Sequence, residues 1–126
     1  IHQNTGIGLL SAFCGATCAG LGSACGIAYL QGGRYDVIAH TIVNTLAICS
    51  GMVCDGAKPS CAAKIAAAVD AGLLGYQMYI NGGHEFLRGE GILKDSVEAT
   101  IESVGRLARQ GMRQTDREIL DIMVGK

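Results

Sequence analysis

The chain has 126 residues, enough for one domain or part of one; 49% are hydrophobic and 17% charged, which excludes disorder through excess charge. Ten basic and eleven acidic residues give a net charge of −1, too balanced for a surface built around phosphate backbones or anionic lipid, so no nucleic-acid partner is expected. Glycine is abundant at 19 residues beside one proline and no tryptophan, so the apolar content is mostly small side chains. The chain opens at Ile1 with no basic stretch leading into an apolar run; no signal peptide is read, and missing sequence upstream is expected.

From Gly6 to Gly32 there is no charged side chain, and Val37 to Cys54 holds only His40 as a titratable residue apart from its cysteines. Two membrane spans would fit by length alone. The first run is Gly, Ala, Ser, Thr and Cys rather than Leu, Ile and Phe, without an aromatic belt or basic flank, so it reads as a helix buried all round, with no membrane partner. Gln31-Gly32-Gly33-Arg34 stops it, and an antiparallel second helix runs from Asp36, as its cap, to about Ser50, ended by Gly51. A loop with the chain's only proline follows, and Ser60 caps a third, Ala-rich helix from Cys61 to about Ile80, ended by Asn81-Gly82-Gly83.

His84 to Leu93 is Gly-interrupted and reads as irregular. Asp95 with Glu98 forms a capping-box pattern for a fourth helix that buries Val97, Ile101, Val104 and Ala108, supported by Glu102 and Arg106. Thr115 with Glu118 repeats the pattern for a last helix carrying Ile119, Leu120 and Met123. With no strand pattern, the fold expected is all-α: a compact bundle of about five helices with Gly-rich connections.

Six cysteines lie at 14, 18, 25, 49, 54 and 61. They sit in apolar, helix-like segments rather than a turn-rich disulfide scaffold, which fits a reducing cytosol; each is either a small buried hydrophobe or a metal ligand. On one helix, Cys14, Cys18 and Cys25 would fall within about 40° of each other, with Gly15, Gly22 and Gly26 beside them allowing a close helix approach. No Cys-x-x-Cys is present, which argues against zinc. Cys54 and Cys61 bracket the Asp55-Gly56-Ala57-Lys58-Pro59-Ser60 loop, and a thiol in the first turn of a helix, with Lys58 and Lys64 nearby, favours its thiolate. Among other polar residues, His40 reads as a hydrogen-bonded core histidine, His84 as a loop histidine and Asn44 as a buried link between helices. Thr5-Gly6-Ile7-Gly8 precedes a helix and offers amides to an anion, but without the preceding strand of a dinucleotide site. No local pattern identifies a nucleophile with its base, so no catalytic residue is assigned.

The run from Gly51 to Ile65, Gly-Met-Val-Cys-Asp-Gly-Ala-Lys-Pro-Ser-Cys-Ala-Ala-Lys-Ile, resembles the signature of the serine dehydratase alpha-chain-like family. Asn4-Thr5-Gly6-Ile7-Gly8, Gly82-Gly83-His84, Gly89-Glu90-Gly91-Ile92 and Gly111-Met112-Arg113-Gln114-Thr115-Asp116 extend the likeness to the cysteine desulfidase branch, so residues 1–126 resemble one domain, the C-terminal part of a larger helical enzyme. The resemblance implies an oxygen-sensitive [4Fe-4S] cluster held by Cys14, Cys54 and Cys61, one iron being open for substrate, with Cys18, Cys25 and Cys49 left for packing. It also implies a cytoplasmic lyase that eliminates sulfide or water from L-cysteine or L-serine, giving an aminoacrylate that hydrolyses to pyruvate and ammonia. The implied partners are the small amino-acid substrate, an N-terminal half of the same enzyme that supplies the base, and a second copy in a homo-oligomer; the chain alone is expected to be inactive. Family serine dehydratases carry Cys-Asp-Pro, where Asp55 here precedes Gly56, a departure that sets serine behind cysteine. The alternative is a non-catalytic helical structural or interaction domain with buried cysteines.

Overall fold

The computed structural model describes residues 1–5, 11–86 and 89–126; Gly6-Ile7-Gly8, and with them the proposed anion site, lie outside the described residues. The elements are α1 (His2–Thr5), α2 (Gly15–Leu30), α3 (Tyr35–Cys49), α4 (Ser60–Gly82), α5 (Val97–Arg106) and α6 (Arg113–Met123), with a π-helical turn, Leu107–Gly111, joining the last two. The single turn of α1 apart, this is the expected bundle of five helices. Among the described residues no strand is present, only an isolated antiparallel bridge between Phe13 and Val53. No described helix is long and apolar enough to cross a membrane.

The packing centre is α2, α3 and α4, and α4 touches both of its partners through residues with almost no side chain. A Cβ added at Gly20 of α2 would stand 2.3 Å from the Ala68 carbonyl carbon, and one at Gly72 of α4 would stand 2.6 Å from the Ala24 Cβ. One turn further along α4, a Cβ at Gly75 would meet the Asn44 Cβ of α3 at 3.0 Å. The close approach therefore uses Gly20, not the expected stripe: Gly22 and Gly26 lie on the other side of α2 and face open space. Phe13, Leu21, Leu46, Val104 and Ala108 form the main apolar cluster, with Cys18 and Cys25 packed against it. α5 lies on α3 and α1.

Several boundaries differ from the sequence reading for local reasons. Asp36 lies in the first turn of α3, two residues after its cap Arg34. Pro59 rather than Ser60 caps α4, so Ser60 is the first helical residue and makes no capping hydrogen bond. Gly83, left-handed at φ 62°, ends α4 as expected, and the amides of Gly83 and His84 return to the Tyr79 and Met78 carbonyls. Ser96, one residue after Asp95, caps α5 and accepts from the Ala99 amide at 3.1 Å. Glu102 accepts from Arg109 at 3.0 Å, two turns along rather than one. Thr115 sits inside α6, because the π turn carries the helix through Gly111 and Met112 is its cap. α6 buries no residue, and Leu120, Ile122 and Met123 are exposed.

The glycine placement yields a paired prediction. Gly20→Ala should destabilise the protein by about 2–3 kcal/mol, because the new methyl meets backbone that cannot rotate away. Gly22→Ala, in a helix interior facing open space, should stabilise it by about 0.5–1 kcal/mol. Urea denaturation of both variants measures the two effects with opposite sign.

Candidate metal centre

The cysteine site is built around a short backbone ladder. The Cys14 amide donates to the Met52 carbonyl at 3.0 Å, and the Cys54 amide donates to the Ala12 carbonyl. Phe13 and Val53 face each other in this antiparallel pair. Side chains alternate along extended backbone, so Phe13 points into the main core while Ala12, Cys14, Met52 and Cys54 share the opposite face. Cys14, at φ −77° and ψ 126°, is the extended residue just before α2 rather than part of a helical stripe with Cys18 and Cys25. It is 6% exposed and forms an apolar cluster with Ala16 and Ala68, against which Met52 and Cys54 pack.

Cys61 comes from a third segment, the first turn of α4, and its thiol donates to the Gly56 carbonyl at 3.5 Å. Gly56, at φ 92°, takes a left-handed conformation that turns the loop back toward the helix. Lys64, one turn after Cys61, donates to the Val53 carbonyl at 2.9 Å and to the Asp55 carboxylate at 2.7 Å. Lys58 also donates to Asp55. The two ammonium groups hold the Asp55 carboxyl down at about 2, first through the hydrogen bond from Lys58 and then through that from Lys64. Lys64 itself is raised, first by its bond to Asp55, with the Cys14 and Cys61 thiols close enough to add to the effect.

The structure thus joins Cys14 and Cys54 in one cluster and brings Cys61 to the same loop. Among the described residues, no three His, Cys, Asp or Glu side chains are grouped tightly enough to hold a single metal ion. A cubane cluster does not require that, because each thiolate takes its own iron. Three thiols from three segments, at least partly buried beside two ammonium groups, have the chemistry to hold an anionic thiolate cluster, and the donor set fits.

Of the remaining cysteines, burial raises the thiols of Cys18, Cys25 and Cys49. Cys49 donates to the Thr45 carbonyl, and its own carbonyl accepts from Thr17. His40 lies nine residues, about 13 Å, along α3 from Cys49. Its ring stacks on Tyr79 at 4.1 Å and Nε2 stands 3.4 Å from Glu85, while Nδ1 is buried with no partner among the described residues. His84 is exposed, its ring lying along Gly82. Asn44 does what the sequence reading expects and more: its amide donates to the Gly75 and His84 carbonyls, and its oxygen accepts from the Phe86 amide. Sequence reasoning places Lys58 and Lys64 near Cys61 but misses Asp55 as their shared acceptor; its position directly after Cys54 is the available signal.

A carboxylate held this low adds stability that is complete above an unfolded value near 4 and lost as pH falls through about 2. Urea midpoints measured across that window should fall with acidification, and Asp55→Asn should flatten that part of the profile.

The family described as serine dehydratase alpha chain matches residues 1–121. A UPF0597 protein of Desulfitobacterium hafniense is 62% identical over 126 residues, covering 100% of this chain and 29% of the relative. UPF0597 proteins of Finegoldia magna and Treponema denticola are 52% and 51% identical, over 100% and 98% of this chain and 30% and 28% of their own lengths. The chain therefore spans less than a third of the length of these relatives. No solved structure matches it.

Proposed function

We propose, from the premise that the chain belongs to the serine dehydratase alpha chain family, that residues 1–126 are the cluster-bearing C-terminal part of an iron–sulfur lyase. Its substrate is a small β-substituted amino acid, L-cysteine or L-serine, from which it eliminates sulfide or water to give pyruvate and ammonia. The observation that carries this reading is that Cys14 and Cys54 share one face of the backbone ladder while Cys61, at the start of α4, bonds to Gly56 in the loop that follows Cys54. When bound, a [4Fe-4S] cluster with one iron free of protein ligands supplies Lewis-acid activation of the leaving hydroxyl or thiol.

The chain's own residues hold and shield that centre. Cys14, Cys54 and Cys61 are the thiolate ligands; Met52 and Ala68 give the site an apolar wall that limits water. Cys18 and Cys25, packed against the main apolar cluster, and the buried Cys49 remain packing residues. The base that removes the α-proton belongs to the remainder of a longer protein, as the relatives are more than three times the length of this chain, and without it these 126 residues are inactive. An oxygen-sensitive cluster suits the cytoplasm.

Anaerobic reconstitution with iron and sulfide should give broad visible absorption in proportion to chain. Cys14→Ser, Cys54→Ser and Cys61→Ser should each remove most of it, while Cys18→Ser and Cys25→Ser retain it. Equal absorption in all five variants, or none in the unsubstituted protein, overturns the proposal.

A further inference from the structure

Lys64 has a role in this site that cysteine spacing does not reveal. It is three residues after Cys61 on α4, so the two side chains leave the same face of the helix. Its ammonium reaches across to the backbone on one side of Cys54, through the Val53 carbonyl at 2.9 Å, and to the side chain on the other, through Asp55 at 2.7 Å. One side chain therefore spans the segment that carries Cys54 and the helix that carries Cys61. It is 23% exposed, so its bonds are partly shielded from water. With Lys58 on the same carboxylate, two positive groups face one negative group, leaving a net positive charge in the segment between Cys54 and Lys64.

We propose that Lys64 is the positioning residue of the cluster site: it ties the Cys54 segment to α4 and sets a positive charge against the anionic cluster. The inference rests on the iron–sulfur reading for its second half only. The tie acts in the metal-free protein, where it holds the loop in its ligating geometry before iron arrives. The charge acts once the cluster is present, because reduction adds an electron to an already negative group and a nearby cation favours it.

Two measurements on the unsubstituted protein, Lys64→Met and Lys64→Arg test this. In the metal-free protein, exchange of the Cys54 amide, which donates to the Ala12 carbonyl, should quicken about five- to tenfold in Lys64→Met, the scale of a charge-assisted hydrogen bond discounted for exposure. After anaerobic reconstitution with iron and sulfide, the reduction midpoint should move to more negative potential in Lys64→Met and return in Lys64→Arg, which keeps the charge. A merely structural role would leave the midpoint unmoved in whatever cluster forms. Exchange rates and midpoint both unchanged in Lys64→Met, with a cluster present in the unsubstituted protein, overturn the inference alone. No cluster in the unsubstituted protein overturns the iron–sulfur reading and the charge role together, and unchanged exchange then overturns the tie as well.

Discussion

The site depends on two backbone hydrogen bonds that join residues 38 and 42 positions apart: Cys14 to Met52, and Cys54 to Ala12. They do what no cysteine spacing can do by itself. Pairing in antiparallel register makes Phe13 and Val53 opposite partners, so one residue to either side the chain turns Cys14 and Cys54 to a common face. A slip of one residue would turn one thiol away from the other. The register is held because Phe13, fully buried, is anchored among Leu21, Leu46, Val104 and Ala108, and because the buried Ser11 hydroxyl donates to the Ala108 carbonyl in the π turn. The irregular stretch of the last helices thus helps fix the ladder, in keeping with the tendency of π turns to occur near functional positions.

The second constraint is the closeness of α2 and α4. Cys14 precedes α2 and Cys61 opens α4, so the separation of those helices sets how near their ends come. Gly20, Ala24, Ala68 and Gly72 leave no room for a larger residue between them, and the abundance of glycine and alanine in this chain finds its physical use there. Lys64 then closes the remaining gap from α4 to the Cys54 segment. Beyond the site, Asn44 uses both ends of its amide to join α3, α4 and the segment after Gly83, which stiffens the far end of the bundle.

Helix number and type were legible in the sequence because apolar periodicity and glycine stops are local signals: Gly83, Gly51 and the Ala-rich run after Pro59 each act where they stand. Boundaries slipped by a residue or two where caps compete, as with Ser96 against Asp95 and Pro59 against Ser60. The family likeness, and with it the trio of cysteines, came from the motif around Cys54 and Cys61. What local reading missed was non-local. Cys14 resembled a helical residue because Gly15 onward is helical, and only its distant partner Met52 makes it extended. The glycines that pack are Gly20 and Gly72, a choice that depends on which face of α2 meets α4. The π turn replaced an expected break because nothing between Leu107 and Arg113 obliges the helix to stop.

Mössbauer spectroscopy of the protein reconstituted anaerobically with 57Fe tests the central claim most directly. Three cysteine ligands on a four-iron cluster predict one iron in four with parameters distinct from the rest, and that component alone should respond when L-cysteine or L-serine is added to the full-length protein. Four equivalent irons, or a spectrum unmoved by either amino acid, would contradict the account.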